Sequence, residues 1–555
     1  MLLWLAIGTS LRFLRLASLP PWTDECATLV FSLGNSFRTV PLNQIISSDV
    51  LLQPLQPNPA SGISSVLQHL FDESTHPPIY FVLAHFWMKM FSPPGELASI
   101  WVARSLSAFF GVISIPAMFG FGYLAFRSKL IAQMAAGMMA VSPYTIFLAR
   151  EARHYTLVML LVIASLCCFI KTIQIIYRQQ SLPIWLVLVW VAVNSLGIAT
   201  HYFFTLTLCV QGFVLLWQII KQRISMKSHW QRLLIVAVGT LMGFIVWIPT
   251  LQNIPGNDLT TWVTSSNSYT RWLEPIGRLI LWIMSMLLLL PSALTTLPLV
   301  IVILSGITTL LFLLWSLPNL VDGLKIQQRN SDNRLAIQIL SEYVLGAIAL
   351  CLCFTYILRK DLTLAARFQF VYTPAIILLL GVALAGCWQR IQNQPKLWLS
   401  VNGKVAVSII WLMAMFGGIN VGWNLGYLQN QRPDILASVI HQASPNNVLI
   451  ATTHLHHGQT GRMMGLAWEL QHLPAKSLQF FLARKDPETN TYNQSVQLFQ
   501  ERLTKIPRPF DLWLVEFRTQ VDLESQHCIL DQEHGRVAGE YSYKPYHCNS
   551  EKSDP

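Results

Sequence analysis

Charge is what this chain has least of. Only 12% of its 555 residues are Asp, Glu, Lys or Arg, about half the roughly 25% of an ordinary soluble domain. So few charged groups cannot clothe a water-facing surface of this size, which points to a bilayer. Cysteine is scarce as well. The nine present include no CxxC pair and no Cys/His spacing suited to a structural zinc, so most read as small apolar filler. The start of the chain lacks the basic segment and small-residue cleavage site of a signal peptide, and its apolar stretch reads as a retained first span.

What is present is a series of long apolar runs between Met1 and Trp423, of the length that a hydrocarbon core about 30 Å thick demands. Eleven read as spans: Leu2–Leu16, Ile100–Phe126, Leu130–Leu148, Tyr155–Ile175, Leu182–Ile198, Tyr202–Ile220, Leu233–Thr250, Thr295–Leu317, Tyr343–Leu358, Phe370–Trp388 and Val405–Trp423. Two more, Pro77–Phe91 and Leu279–Leu290, are short enough to read as juxtamembrane helices.

From Asn424 onward stand 12 Lys and Arg against 14 Asp and Glu, so the net charge of +11 belongs to the membrane part. Its basic residues are dispersed between spans rather than gathered on a soluble face, which excludes a nucleic-acid partner and fits the positive-inside rule. With the N-terminus inside and neither short segment crossing, the cytoplasmic loops carry Arg127/Lys129, Lys171/Arg178, Lys221/Arg223/Lys227/Arg232, Lys325/Arg329/Arg334 and Arg390/Lys396/Lys404. Asp24, Glu25, Asp49, Asp72, Glu73, Glu96, Glu151, Asp258, Glu274 and Asp361 then fall outside. Acidic groups contribute little to orientation, so their gathering on one face calls for a chemical reason. Arg12 and Arg15, near the outer end of the first span, run against this map.

The expected architecture is an α-helical polytopic membrane protein of about eleven transmembrane helices and two juxtamembrane helices. It comprises residues 1–423, with a first outer loop at 17–99 and a juxtamembrane helix at 77–91, followed by a small extracytoplasmic α/β domain at 424–555. In that tail, helix-like stretches at Pro433–Gln442, Gly461–Gln471 and Ser495–Leu503 alternate with strand-like ones at Asn447–Thr453, Leu478–Ala483 and Asp511–Phe517. Cys528 and Cys548 lie there, where an oxidising compartment permits a disulfide. His454, His456 and His457 have no nearby carboxylate in sequence and read as a solvated loop cluster rather than a metal site.

Candidate chemistry sits in the outer loops. Asp24 and Glu25 follow the first span; the bland alternative is a solvated loop that starts a helix. Next comes Ser74-Thr75-His76-Pro77-Pro78-Ile79-Tyr80, whose prolines stiffen the approach of His76, and then a helix on which His85 and Lys89 share a face. Ala149-Arg150-Glu151-Ala152-Arg153-His154-Tyr155, Thr200-His201-Tyr202-Phe203 and Arg367-Phe368-Gln369-Phe370-Val371-Tyr372-Thr373-Pro374 complete the set.

Through these motifs, together with Arg104 opening the second span, residues 10–390 resemble the dolichyl-phosphate-mannose protein mannosyltransferase-like enzymes and the aminoarabinose lipid A transferases of the GT-C glycosyltransferase superfamily. Thr75-His76 stands where the aminoarabinose transferases have an acidic-Lys element, favouring the mannosyltransferase-like branch. The resemblance implies an inverting hexosyltransferase of the plasma membrane that uses a polyprenyl-phosphate sugar donor among membrane lipids, with a glycan, lipid or protein hydroxyl as acceptor. It implies Asp24 as general base, with Glu25 and Glu151 as catalytic neighbours. His76, Arg104, Arg153, Tyr155, His201, Tyr202, Arg367 and Tyr372 become substrate-binding candidates, the arginines suiting a leaving phosphate. A divalent cation, Mg2+ or Mn2+, held by Asp24 and Glu151 stays open. The rival functions are a transporter or flippase of a lipid-linked saccharide, a glycan polymerase or ligase, and a non-catalytic assembly protein that binds partners through its tail.

Overall fold

The computed structural model describes residues 1–92, 97–222, 229–252, 272–390, 402–472, 477–533 and 535–549. Glu96, Arg223, Lys227, Asp258 and Lys396, used in the charge map, lie outside the described residues. By contacts the chain divides into two units. The first comprises Met1–Leu16, Thr75–Tyr80 and Arg104–Leu428; the second comprises Ala17–Ser74, Phe81–Ala103 and Gln429–Pro555.

Each of the eleven apolar runs has formed a helix. Among the described residues six are long and apolar enough to cross a membrane, Lys129–Val141 with Pro143–Ala149 makes a seventh bent by 57°, and Leu2–Phe13, Ile184–Ile198, Trp230–Ile245 and Thr373–Gln389 are shorter apolar helices. The protein is a multi-pass membrane protein. Of the two shorter apolar segments, Pro77–Phe91 forms the 13-residue helix Ile79–Phe91, whereas Leu279–Leu290 is helical only as far as Ser285, within the 12-residue helix Glu274–Ser285, and Met286–Leu290 are buried outside it; both helices fall well below the roughly 20 residues a span requires. The two helices Leu299–Gln328 and Ser331–Tyr356 overrun their apolar cores. Asn330 starts the second by accepting from the Asp332 N–H at 3.0 Å, so helix propensity and a cap carry the helix where hydropathy has already stopped.

Arg12, one of the two exceptions in the charge map, is fully buried. At Ser142 the helix breaks before Pro143, which frees carbonyls of the preceding turn. The Arg12 guanidinium donates to the carbonyls of Met139 at 2.8 Å and Ala140 at 3.0 Å, and to Thr145 Oγ1 at 3.3 Å. It therefore has internal partners and needs no route to water. Other polar groups between these helices also satisfy one another: Ser165 Oγ donates to Asn194 Oδ1 at 2.9 Å, and Asn194 Nδ2 to Thr240 Oγ1 at 3.1 Å.

In the second unit the tail elements form where periodicity placed them, as helices Pro433–Ala443, His457–Leu470 and Asn493–Leu503 between strands β2 (Asn447–His454), β3 (Leu478–Arg484) and β4 (Phe510–Val515). The first outer loop adds β1 (Ile45–Ser47), and the C-terminal end adds β5 (Cys528–Leu530), β6 (Val537–Ala538) and β7 (Tyr541–Cys548). The sheet order is β1-β3-β2-β4-β7-β5, with β6 on β7. β3, β2 and β4 run parallel; β1 and β7 are antiparallel to their neighbours. A core of Leu449, Ala451, Phe481, Phe499 and Leu512 lies under the sheet. Cys528 and Cys548 are disulfide-bonded. Residues 17–74, which the sequence reading put with the membrane region, thus share a sheet and a contact unit with the tail.

Candidate active site

In the second unit Trp22 caps the helix Thr23–Ser32, whose first turn holds Asp24 and Glu25. The two carboxylates have different settings. Glu25 is 1% exposed and its Oε2 accepts from the Trp22 N–H at 3.4 Å, so it closes the helix start. Asp24 is part-exposed on the same turn. The helix Ile79–Phe91 presents its polar face to this loop: His85 Nδ1 is 2.8 Å from the Ser32 carbonyl, and Lys89 Nζ donates to the Ser61 carbonyl at 3.4 Å.

The histidines of the tail serve the fold. His454 Nε2 is 2.9 Å from Thr460 Oγ1, the His456 ring accepts from the Gly458 N–H at 3.1 Å, and His457 stacks on Phe37 with ring centroids 4.9 Å apart.

In the first unit the turn motifs build a cluster. Arg153 is 2% exposed, and its Nη2 is 2.9 Å from His76 Nε2. His154 lies between His76 and His201, with ring centroids 5.7 and 4.6 Å away, and Tyr155 is 4.7 Å from it. Below them Tyr80 O–H and Ser107 Oγ are 2.7 Å apart, and Ser107 Oγ donates to the Arg153 carbonyl at 2.8 Å, which locks the turn. Phe370 packs on His201 at 5.2 Å and brings in the 3-10 turn Ala366–Val371, which carries Arg367. Glu151 is buried in the same turn as Arg153, whose N–H donates to its carbonyl at 2.7 Å.

Not every candidate joins this cluster. Arg104 donates to the Leu16 carbonyl at 3.0 Å and so ties the end of the first helix. Tyr202 faces Trp247, with centroids 6.2 Å apart. Tyr372 is buried beside a cavity of about 20 Å³ lined by Leu206, Cys351, Leu362 and Phe368.

His154 is the residue that sequence reasoning passed over, because it occupies the variable position of the Arg-x-Tyr turn. It is 1% exposed, and both ring nitrogens lack a hydrogen-bond partner among the described residues. Burial, followed by the charges of His201, Arg153, His76 and Arg367, holds its pKa well below the ordinary imidazole value. Burial, followed by the charges of His76, Arg153 and Arg367, depresses His201 as well. Both rings are therefore neutral at pH 7, and each neutral ring offers one donor and one acceptor. An unsatisfied buried imidazole calls for a ligand or a water. Among the described residues no three His, Cys, Asp or Glu side chains gather to hold a metal. The described residues thus present no three-ligand set for Mg2+ or Mn2+.

Residues 89–256, which include Arg104, Glu151, Arg153, His154 and His201, match the model of the dolichyl-phosphate-mannose-protein mannosyltransferase family. No curated protein matches the sequence. In structure the chain is similar to ArnT from Cupriavidus metallidurans bound to undecaprenyl phosphate, at 12% identity and TM-score 0.51, covering 100% of this chain and 99% of that one. For ArnT in the apo state the values are 13%, 0.51, 100% and 98%. The archaeal oligosaccharyltransferase AglB from Archaeoglobus fulgidus, in complex with an inhibitory peptide and a dolichol-phosphate, matches at 11% identity and TM-score 0.43, covering 100% of this chain and 74% of that one. The family match over residues 89–256 and the fold shared with ArnT agree with the resemblance drawn from the motifs.

Proposed function

We propose that this protein is a membrane glycosyltransferase that moves a single sugar from a polyprenyl-phosphate donor to an acceptor hydroxyl on the extracytoplasmic face, with inversion at the anomeric carbon. The observation that supports it most is the buried Arg153–His76–His154–His201 cluster, assembled from motif turns and carried largely by the segment that matches the mannosyltransferase family. Disulfide-bonded Cys528 and Cys548 support an oxidising compartment for the tail.

In this reading Asp24 takes the proton of the acceptor hydroxyl as its oxygen attacks the anomeric carbon. The bond from that carbon to the phosphate oxygen breaks, and its electron pair leaves with the lipid phosphate. That phosphate gains a negative charge, which Arg153 and Arg367 neutralise through guanidinium hydrogen bonds. His154 is a neutral donor and acceptor for a sugar hydroxyl or phosphate oxygen. Glu25 closes the helix start that carries Asp24, and Glu151 shares the turn of Arg153.

The deciding experiment incubates the purified protein with labelled polyprenyl-phosphate hexoses and measures lipid phosphate release. Wild type releases it with at least one donor, and Asp24→Asn is slower by about 10²–10⁴-fold, the usual worth of a general base. A wild type that neither binds nor consumes any such donor rules out the enzyme, and an unimpaired Asp24→Asn rules out the base.

A further inference from the structure

If Asp24 is the base, whatever sets the Pro21–Glu25 turn sets the chemistry. Within the second unit that turn is held by residues from the far end of the chain. The Thr23 N–H donates to Oε1 of Gln431 at 3.4 Å, and the Thr23 hydroxyl donates to the same oxygen, across 408 positions of sequence. The helix His457–Leu470 lies against the backbone of this turn. A Cβ placed on Gly465 would stand 2.5 Å from the Pro21 carbonyl oxygen, and one on Gly461 would stand 3.2 Å from the Thr23 carbonyl oxygen and 3.5 Å from Cys26 Cβ. Cys26, wholly buried, closes the turn from inside with its Sγ 3.8 Å from the Pro21 carbonyl. At the helix start His457 stacks on Phe37 and meets Phe31 edge-on at 5.8 Å, which pins the helix to the same loop.

We propose that the C-terminal domain belongs to the catalytic machinery: Gln431, with Gly461 and Gly465 on the adjoining helix, positions the helix start that carries Asp24. This rests on Asp24 being the base. The domain sets the reach of that carboxylate toward the acceptor hydroxyl, and a misplacement near 1 Å costs about 100-fold in rate. A tail that only docked acceptor would be felt in the acceptor KM and leave turnover alone.

The test uses the full-length protein, with lipid phosphate release as readout, melting curves for every variant, and Asp24→Asn alongside. Gln431→Ala and Gly465→Ala are expected to lower kcat by about 100-fold with the KM for donor and acceptor little changed. Gln431→Glu keeps the accepting oxygen and is expected to recover most of kcat. Its added negative charge disfavours ionised Asp24 and moves the acid limb of the pH–rate profile upward. Gly62→Ala, where an added Cβ meets nothing within 4 Å, is expected to be neutral. The proposal is overturned if Gln431→Ala keeps its kcat, if it raises only a KM, or if Gln431→Glu is as slow as Gln431→Ala with an unmoved acid limb. Should Gly465→Ala fail to fold, the Gln431 pair decides alone. An active Asp24→Asn is a separate failure, that of the base assignment.

Discussion

Nη2 of Arg153 stands 2.9 Å from Nε2 of His76, joining two turns 77 positions apart. A guanidinium only donates, so His76 accepts at Nε2 and carries its proton on Nδ1. Arg153→Lys keeps the charge but loses the planar fork that holds the His76 ring and that, in the proposed reaction, would hold a phosphate oxygen as well. We expect kcat/KM to fall by about 10-fold or more, the equivalent of one charged hydrogen bond. His76→Gln, which retains an acceptor, is expected to be milder than His76→Phe in the same assay.

His154 offers a second measurement. A glutamine there supplies a donor and an acceptor, whereas a phenylalanine fills the space and supplies neither. If the buried ring binds substrate, His154→Gln retains part of kcat/KM while His154→Phe loses about 10-fold or more, with melting temperatures close to wild type. Equal activity of His154→Phe and wild type would assign the ring to packing.

Acid should loosen the second unit. Burial lowers the pKa of His454 to about 4 and that of His457 to about 3, from the usual 6.5. As pH falls below about 6.5, the unfolded chain takes up protons that the folded chain refuses, so stability is fully present above 6.5 and is lost on the way down toward 3. His457→Phe keeps an aromatic ring on Phe37 and removes one of these protonations. Melting curves at pH 7.5 and pH 5 should show a smaller drop for this variant than for wild type.

Arg12→Leu is expected to destabilise the first unit strongly. It strips the guanidinium from the Ala140 carbonyl and from the Met139 carbonyl, which keeps the Thr145 hydroxyl, at about 1–3 kcal/mol for a group left unsatisfied. Unfolding of the purified protein in detergent measures this, and Arg12→Lys should recover part of the loss.

Replacing Cys528 and Cys548 by serine opens a 20-residue loop and should cost the second unit about 2–4 kcal/mol. The side of the membrane can be read independently. An impermeant thiol reagent should reach single cysteines placed near Asn549 from outside and those at Arg127–Lys129 only from the cytoplasm.

The helices were legible because hydropathy and periodicity are local properties. Each of the eleven apolar runs became helical, two of them as a pair of helices, and the alternating pattern after Pro433 became the helices and parallel strands of the sheet. The turns around His76, Arg153 and His201 were legible as candidates because polar residues at membrane boundaries stand out against an apolar background. Their meeting was not legible, since it depends on how helices distant in sequence pack.

By itself the sequence determined a membrane protein, its element order and a short list of polar turns. Only tertiary structure decided that Arg12 caps a broken helix and that Glu25 closes a helix start while Asp24 stays accessible. It also decided that His154, a mere spacer in its motif, sits at the centre of the cluster without a hydrogen-bond partner among the described residues, and that β1 of the first loop joins the tail sheet. The reason is that a side chain's role follows from the donors, acceptors and charges brought to it, and packing gathers these from turns far apart in the chain.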